Sequence, residues 1–170
     1  MADIIKTPDF KEDQTTPRVV IKQLDYDDAT KYLELIQANR DDLESESIYV
    51  PEEIEDIVHK IEFPVPEGRI DLVVKAGEDL VGEVNIVPHG NRAELIYWID
   101  RDHRGHGYAK EAVRQAAALA FSKPNINELR AWVRRENILS QKTLSANGFV
   151  HEDTSSQGES LGFTLRRNNT

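Results

Sequence analysis

Apolar residues recur along this chain in two rhythms. A period near two marks "RVVIKQL" from Arg18, "IDLVVKA", "DLVGEVNIV", "RAELIYWI" and "NELRAWVRR", and predicts strands there. In the third run Leu80, Gly82, Val84 and Ile86 face one way and Val81, Glu83, Asn85 and Val87 the other. In the fourth, Leu95, Tyr97 and Ile99 oppose Glu94, Ile96 and Trp98, and both faces are apolar enough to be covered. A helical period marks "DYDDATKYLELIQANR", where Ala29, Leu33 and Ile36 share a face and Asp25 and Asp27 are candidate N-caps. It returns in "VPEEIEDIVHKI", with Pro51 suited to a first turn and a stripe of Ile54, Ile57, Val58 and Ile61. A third helix, "YAKEAVRQAAALAFSK", presents Ala109, Ala112, Val113, Ala116 and Ala120 as a narrow face for close packing, and Pro124 and Asn125 end it. A short fourth, "NILSQKTLSANGF", has Asn137 near its start and Gly148 just past its end.

The turns "AGED" and "PHGN" are short and contain glycine, so the strands they join are expected to pair antiparallel. The strand–helix–strand run from "RAELIYWI" to "NELRAWVRR" instead implies a right-handed crossover and one parallel pair. A closing hairpin through "SSQG" follows. The expected fold class is α+β: a single domain with a mixed, mainly antiparallel sheet of about seven strands and about four helices. Residues 1–17, polar with two prolines, read as a tail; 18–167 form the domain, and 168–170 a C-terminal tail. A length of 170 residues suits one domain rather than two.

Composition narrows the function classes. No apolar run approaches the ~20 residues of a membrane span, and the N-terminus lacks the basic and apolar segments of a signal peptide. A cytoplasmic protein with no membrane partner is expected, as a monomer or homodimer. With no cysteine, disulfides, a thiolate nucleophile and cysteine-ligated metal are excluded. The net charge of −10 argues against a direct nucleic-acid partner. It favours a cationic one, an amine or a basic protein, although acidity for solubility alone is also consistent with it.

The chemistry concentrates in "YWIDRDHRGHGYAKEA", Tyr97 to Ala112. Gly105 and Gly107 admit backbone conformations closed to other residues, and the helix behind them offers unpaired N–H groups and a partial positive charge, the basis of phosphate binding. Arg104 and Lys110 are candidate full charges. Neither GxGxxG nor GxxxxGK[ST] is present, which disfavours a dinucleotide fold or a nucleotide triphosphatase. His103 and His106 have no carboxylates at ligand spacing, so no metal is expected.

Arg-x-x-Gly-x-Ala after a strand resembles the acetyl-CoA pyrophosphate loop of the Gcn5-related N-acetyltransferases. The likeness extends through "NELRAWVRRENILSQKTLSANGF", with Asn137, Ser140, Gly148 and Phe149, and through "QANRDDLE", both similar to the branch holding the ribosomal-protein N-terminal acetyltransferases. It covers roughly Arg18 to Arg166. The resemblance implies acetyl-CoA as cosubstrate and a primary amine as acceptor, a protein N-terminal α-amine or a small amine, attacking directly in a ternary complex. Tyr97, Trp98 and Ile99 would run along the pantetheine arm. Arg104, Gly105, His106, Gly107, Tyr108 and Ala109 would hold the pyrophosphate, Asn137 would contact the cofactor near the thioester, and Ser140 would point at the sulfur. The family's sheet splays at a bulge, expected near Trp98, where a free N–H polarises the acetyl carbonyl.

One departure matters: where many members carry a tyrosine seven residues after the asparagine, as acid to the leaving thiolate, this chain has Leu144. Ser140 is the expected replacement, with Tyr97 and Tyr108 behind it. Leu144 also leaves a catalytically silent acyl-CoA-binding module as an alternative. Glu94 is the first candidate base and Glu83 the second. Glu111 reads as a helix-dipole partner, Trp132 as either a cleft wall or core, and Asp27, Asp28, Asp41 and Asp42 as solvated helix-end charges. The acceptor loops, 39–51 and 63–68, show no recognisable chemistry.

Overall fold

The computed structural model describes residues 19–64, 66–152 and 159–167. Seven strands, β1 (Val20–Gln23), β2 (Ile70–Ala76), β3 (Asp79–His89), β4 (Arg92–Ile99), β5 (Glu128–Arg134), β6 (Val150–Glu152) and β7 (Ser160–Arg166), form one sheet in the order β1-β2-β3-β4-β5-β7-β6. Every neighbouring pair is antiparallel except β4 and β5. Helices α1 (Ala29–Ala38), α2 (Arg40–Ser45) and α3 (Ile54–Glu62) follow β1, while α4 (Tyr108–Phe121) links β4 to β5 and α5 (Ile138–Ala146) links β5 to β6. Both expected tails and the "SSQG" turn fall outside the described residues.

The sheet separates two cores. On one face α4 lays down its small residues, Ala112, Val113, Ala116, Ala117 and Ala120, against Val84, Leu95 and Leu129. On the other, α1 to α3 bury Tyr32, Ile36 and Ile57 over Val73 and Trp98. Both faces of β4 are therefore covered, as its alternation predicts.

Three local expectations are corrected. The single helix expected over 25–40 breaks at Asn39 into α1 and α2, so the described residues hold five α-helices. Asn39 is 2% exposed, and its amide donates back to the Leu35 carbonyl at 3.0 Å, competing with helical continuation. Asp28, not Asp25 or Asp27, is the N-cap position of α1; Asp25 Oδ1 accepts from the N–H groups of Asp27 and Asp28 in the turn before it. Nor is Asp28 solvated, being 5% exposed and paired with Lys22 at 2.8 Å.

The third correction concerns β3. Val74 pairs with Gly82 and Lys75 with Leu80, so Val81 is an extra residue, a bulge. The facing inverts across it: Leu80 joins the core under α1 to α3, while Val81 joins Val84 and Ile86 in the other. A Cβ on Gly82 would stand 2.2 Å from the Trp98 carbonyl oxygen, so only glycine fits beside the bulge.

Helix α5 begins and ends as expected. Asn137 Oδ1 accepts from the Ser140 N–H at 3.1 Å, a cap of about 1 kcal/mol. Gly148 (φ +81°) closes it, with its N–H on the Ser145 carbonyl and that of Phe149 on Leu144.

Candidate active site

The parallel strands β4 and β5 pair only at Arg92 with Glu128, Ala93 with Leu129 and Glu94 with Arg130. From Leu95 onward they part, leaving a gap that opens toward the loop after β4 and closes at Glu94. Main-chain groups along a strand point alternately to its two neighbours. The Asn91 carbonyl accepts from Asn127 on the β5 side, the Asp100 N–H donates to Val81 on β3, and the register of β4 against β3 is unbroken from Arg92 to Ile99. The N–H groups of Leu95, Tyr97 and Ile99 therefore face the gap, and that of Trp98 faces β3. No register shift marks β4 at Trp98, and the bulge at Val81 lies between β2 and β3. The Trp98 indole is 7% exposed and donates to Glu83 Oε2 at 3.0 Å, away from the gap.

At the open end, Gly105 (φ +81°) and Gly107 (φ +78°) are both left-handed, and Gly107 is the N-cap of α4 with no side-chain cap. The first-turn N–H groups that follow, from Tyr108 and Ala109, lack intrahelical acceptors by construction. Glu111 in that turn accepts from Arg114 and Gln115. His106 is exposed and stacks on Tyr108, with centroids 5.4 Å apart. Arg104 is differently employed than expected: its Nε donates to the Ile99 carbonyl at 3.1 Å and its Nη2 to Asp42 Oδ2 at 2.8 Å. Asp42, expected to be solvated, also binds Arg101 at 2.7 Å, and the Arg101 hydrogen bond is the main reason its carboxyl sits below the usual range.

Beside the gap, the Tyr97 hydroxyl and Ser140 Oγ are 2.6 Å apart. Burial pushes the Tyr97 phenol up to about 12, partly offset by the Ser140 hydrogen bond. Asn137, besides capping α5, donates through Nδ2 to Glu46 at 3.2 Å. Leu144 is 0% exposed in the core under α4, so the position where a tyrosine acid was sought is an interior one.

Of the two carboxylates proposed as base, Glu83 is committed elsewhere. It lies opposite Trp98, buried, bonded to Lys60 Nζ and the indole. Burial raises its pKa, but the Lys60 charge and the hydrogen bonds from Lys60 and Trp98 win and hold it below the usual range. Glu94 is half-buried at the closed end of the gap, with His89 Nε2 at 3.9 Å. Trp132 is 42% exposed and so is not core. Among the described residues no group of three or more His, Asp or Glu side chains is placed to hold a metal ion.

Sequence reasoning missed Asn39, Asp42 and Lys60 as parts of this architecture. Asn39 donates to Asp100 Oδ1 at 2.7 Å and accepts from the Arg101 N–H at 3.1 Å; Asp100 Oδ2 lies 2.6 Å from His103 Nδ1. The only signal for Asn39 and Asp42 was their place in the "QANRDDLE" stretch; Lys60 had none.

The fold and this loop define a class of protein. The chain belongs to the acetyltransferase (GNAT) domain family, whose model matches residues 18–150. It is 34% identical over 88 residues to a Bacillus licheniformis protein described as an uncharacterised N-acetyltransferase p20. It is 32% identical over 90 residues to the ribosomal-protein-serine acetyltransferase of Escherichia coli (strain K12). These matches span about half of this chain, and about half the length of the curated relatives. Among solved structures, the fold is shared with the ribosomal-protein-S5-alanine acetyltransferase of Vibrio fischeri (TM-score 0.74, 17% identity, 89% of this chain and 94% of that one). It is shared equally with the spermidine N-acetyltransferase of Vibrio cholerae in complex with CoA and spermine (0.73, 18%, 88% and 95%).

Proposed function

We propose that this protein is an acetyl-CoA-dependent N-acetyltransferase acting on a primary amine, with a protein N-terminal α-amine as the acceptor. The observation that carries the reading is the gap between β4 and β5, lined by inward main-chain N–H groups and ending at an uncapped helix behind two left-handed glycines. These features fit the group: the N–H groups of Gly105 to Ala109 hold the pyrophosphate, those of Tyr97 and Ile99 pair with the amides of the arm, and Asn137 adds a side chain at α5. Acetyl-CoA supplies an acetyl thioester there.

With Tyr97 and Ile99 pairing with the arm, Leu95, the gap-facing donor nearest the closed end, and not Trp98, presents its N–H to charge developing on the acetyl oxygen. Ser140, with Tyr97 hydrogen-bonded to it, protonates the leaving thiolate. The demand is modest, because a thiol of pKa about 8.5 already leaves tolerably near neutrality. Glu94 takes the amine proton through water. An α-amine of pKa about 8 is roughly one-tenth neutral at pH 7, so one partly exposed carboxylate suffices.

Charge supports a cationic acceptor. Residues 25–62 hold thirteen Asp and Glu against three Lys and Arg, an excess equal to the whole chain's net charge of −10. The α1 to α3 segment thus carries all the net acidity. The same observation favours a second reading, a polyamine acceptor, while the local likeness to the ribosomal-protein-serine acetyltransferase favours the first. Calorimetric titration with acetyl-CoA, followed by thiol release against N-terminal peptides and small amines, tests both. Turnover with peptides is expected. Preference for polyamines would reassign the acceptor, binding without turnover would make this a silent acyl-CoA module, and no binding would sink the reading.

A further inference from the structure

The loop that would hold an anion already contains a clamp. Arg104, its first residue, is tied at three points: Nε to the Ile99 carbonyl that ends β4, Nη2 to Asp42, and its N–H to the Arg101 carbonyl at 3.4 Å. Asp42 reaches from the first turn of α2 and takes three donors, from Arg101 Nε and Nη2 and from Arg104 Nη2, at 3.3, 2.7 and 2.8 Å. One residue before α2, Asn39 grips the same turn from beneath, through Asp100 and the Arg101 N–H. The Arg104 charge is therefore balanced by the Asp42 carboxylate.

We propose that Asp42 is a positioning residue for cofactor binding, which fixes the loop by holding Arg104 against the end of β4 instead of leaving it to pair with the ligand. This rests on the acetyl-CoA reading. It assigns the anion to the main-chain N–H groups and gives Arg104 a mechanical part. Single exposed ion pairs contribute little, but one carboxylate shared by two arginines, one of which is also bonded to main chain, restricts a loop more than any of its bonds alone.

The two parts Arg104 can play predict opposite signs. If Asp42 clamps the loop, Asp42→Asn weakens acetyl-CoA binding about three- to tenfold, Asp42→Glu restores part of the loss, and Asp42→Asn/Arg104→Gln binds no more weakly than Arg104→Gln alone. Arg104→Gln also leaves the salt dependence of binding unchanged, because no ligand phosphate loses a cation. If Asp42 merely competes with the ligand for Arg104, Asp42→Asn binds as tightly as wild type or tighter, and Arg104→Gln flattens the salt dependence. Either result overturns the proposal. Titration calorimetry at two salt concentrations, with melting temperatures of the same samples, reads all of these. Failure of the wild type to bind acetyl-CoA would sink the acetyltransferase reading and this proposal together. Wild-type binding with an unweakened Asp42→Asn would sink the clamp alone.

Discussion

The Tyr97 hydroxyl and Ser140 Oγ, 43 positions apart, meet at 2.6 Å and join the gap-lining strand β4 to the first turn of α5. Because burial raises the phenol's pKa to about 12, the pair stays protonated at every working pH. Ser140→Ala is expected to lower turnover about 100-fold, and Tyr97→Phe about tenfold, while the acetyl-CoA dissociation constant moves less than about threefold. Stopped-flow thiol release with parallel calorimetry checks this. A Ser140→Ala enzyme keeping more than about half its turnover would remove the hydroxyl from the mechanism.

Glu94 stands at the closed end of the gap, and the part as base proposed for it has a signature in pH. Glu94→Gln is expected to lower kcat/KM about tenfold or more at pH 7, and to recover toward wild type as the pH rises past the amine's own pKa of about 8, where the acceptor needs no base. Parallel profiles with an N-terminal peptide decide it. A deficit constant across pH would mean that Glu94 acts only in binding.

The buried Glu83 links pH to stability. Its folded pKa is depressed, so its contribution is full above the unfolded carboxylate value of about 4.3 and is lost as the pH falls through the lower, folded value. Denaturant unfolding is expected to show stability dropping below about pH 4.5. Glu83→Gln leaves Lys60 without its closest partner; at pH 7 it is expected to cost about 3 kcal/mol and to blunt the acid-side loss. Tyr97 works in the other direction: its folded pKa is raised, so stability is full below about 10 and falls between pH 10 and 12.

Three glycines separate packing from conformation. Gly82→Ala drives a Cβ to 2.2 Å from the Trp98 carbonyl and is expected to prevent stable folding. Gly105→Ala meets nothing within 4 Å and costs about 1 kcal/mol of left-handed strain. Gly107→Glu carries the same strain and adds a negative charge at the mouth of α4, so it is expected to fold and to lose acetyl-CoA binding. Melting curves and titrations of the three variants test the ordering; unchanged affinity in Gly107→Glu would remove the pyrophosphate from this loop.

Alternation exposed β2, β3 and β4, and the two glycines with the alanine-rich helix exposed the loop, because those patterns are local. What escaped was of two kinds. The bulge at Val81 left the apolar pattern of β3 looking continuous, since Leu80, Val81, Val84 and Ile86 are all apolar whichever face they take. The anchoring of Asn39 by Asp100 and Arg101 and the pairing of Asp42 with Arg101 and Arg104 are contacts 59 to 62 positions away, so an acid in the polar run "RDDLES" reads as solvated until the fold is seen. The direction of the Trp98 N–H was settled in the same way, by bonds at Asn91 and Asp100, at either end of the strand.

The three residue pairs shared by β4 and β5 make the sheet two half-sheets, four strands and three, hinged at a short spine. An amide-bearing ligand laid in the gap against Tyr97 and Ile99 does more than wait there to react. It would stand where strand pairing otherwise continues and splice the halves into one surface, so that the reagent would serve as part of the building while the reaction runs.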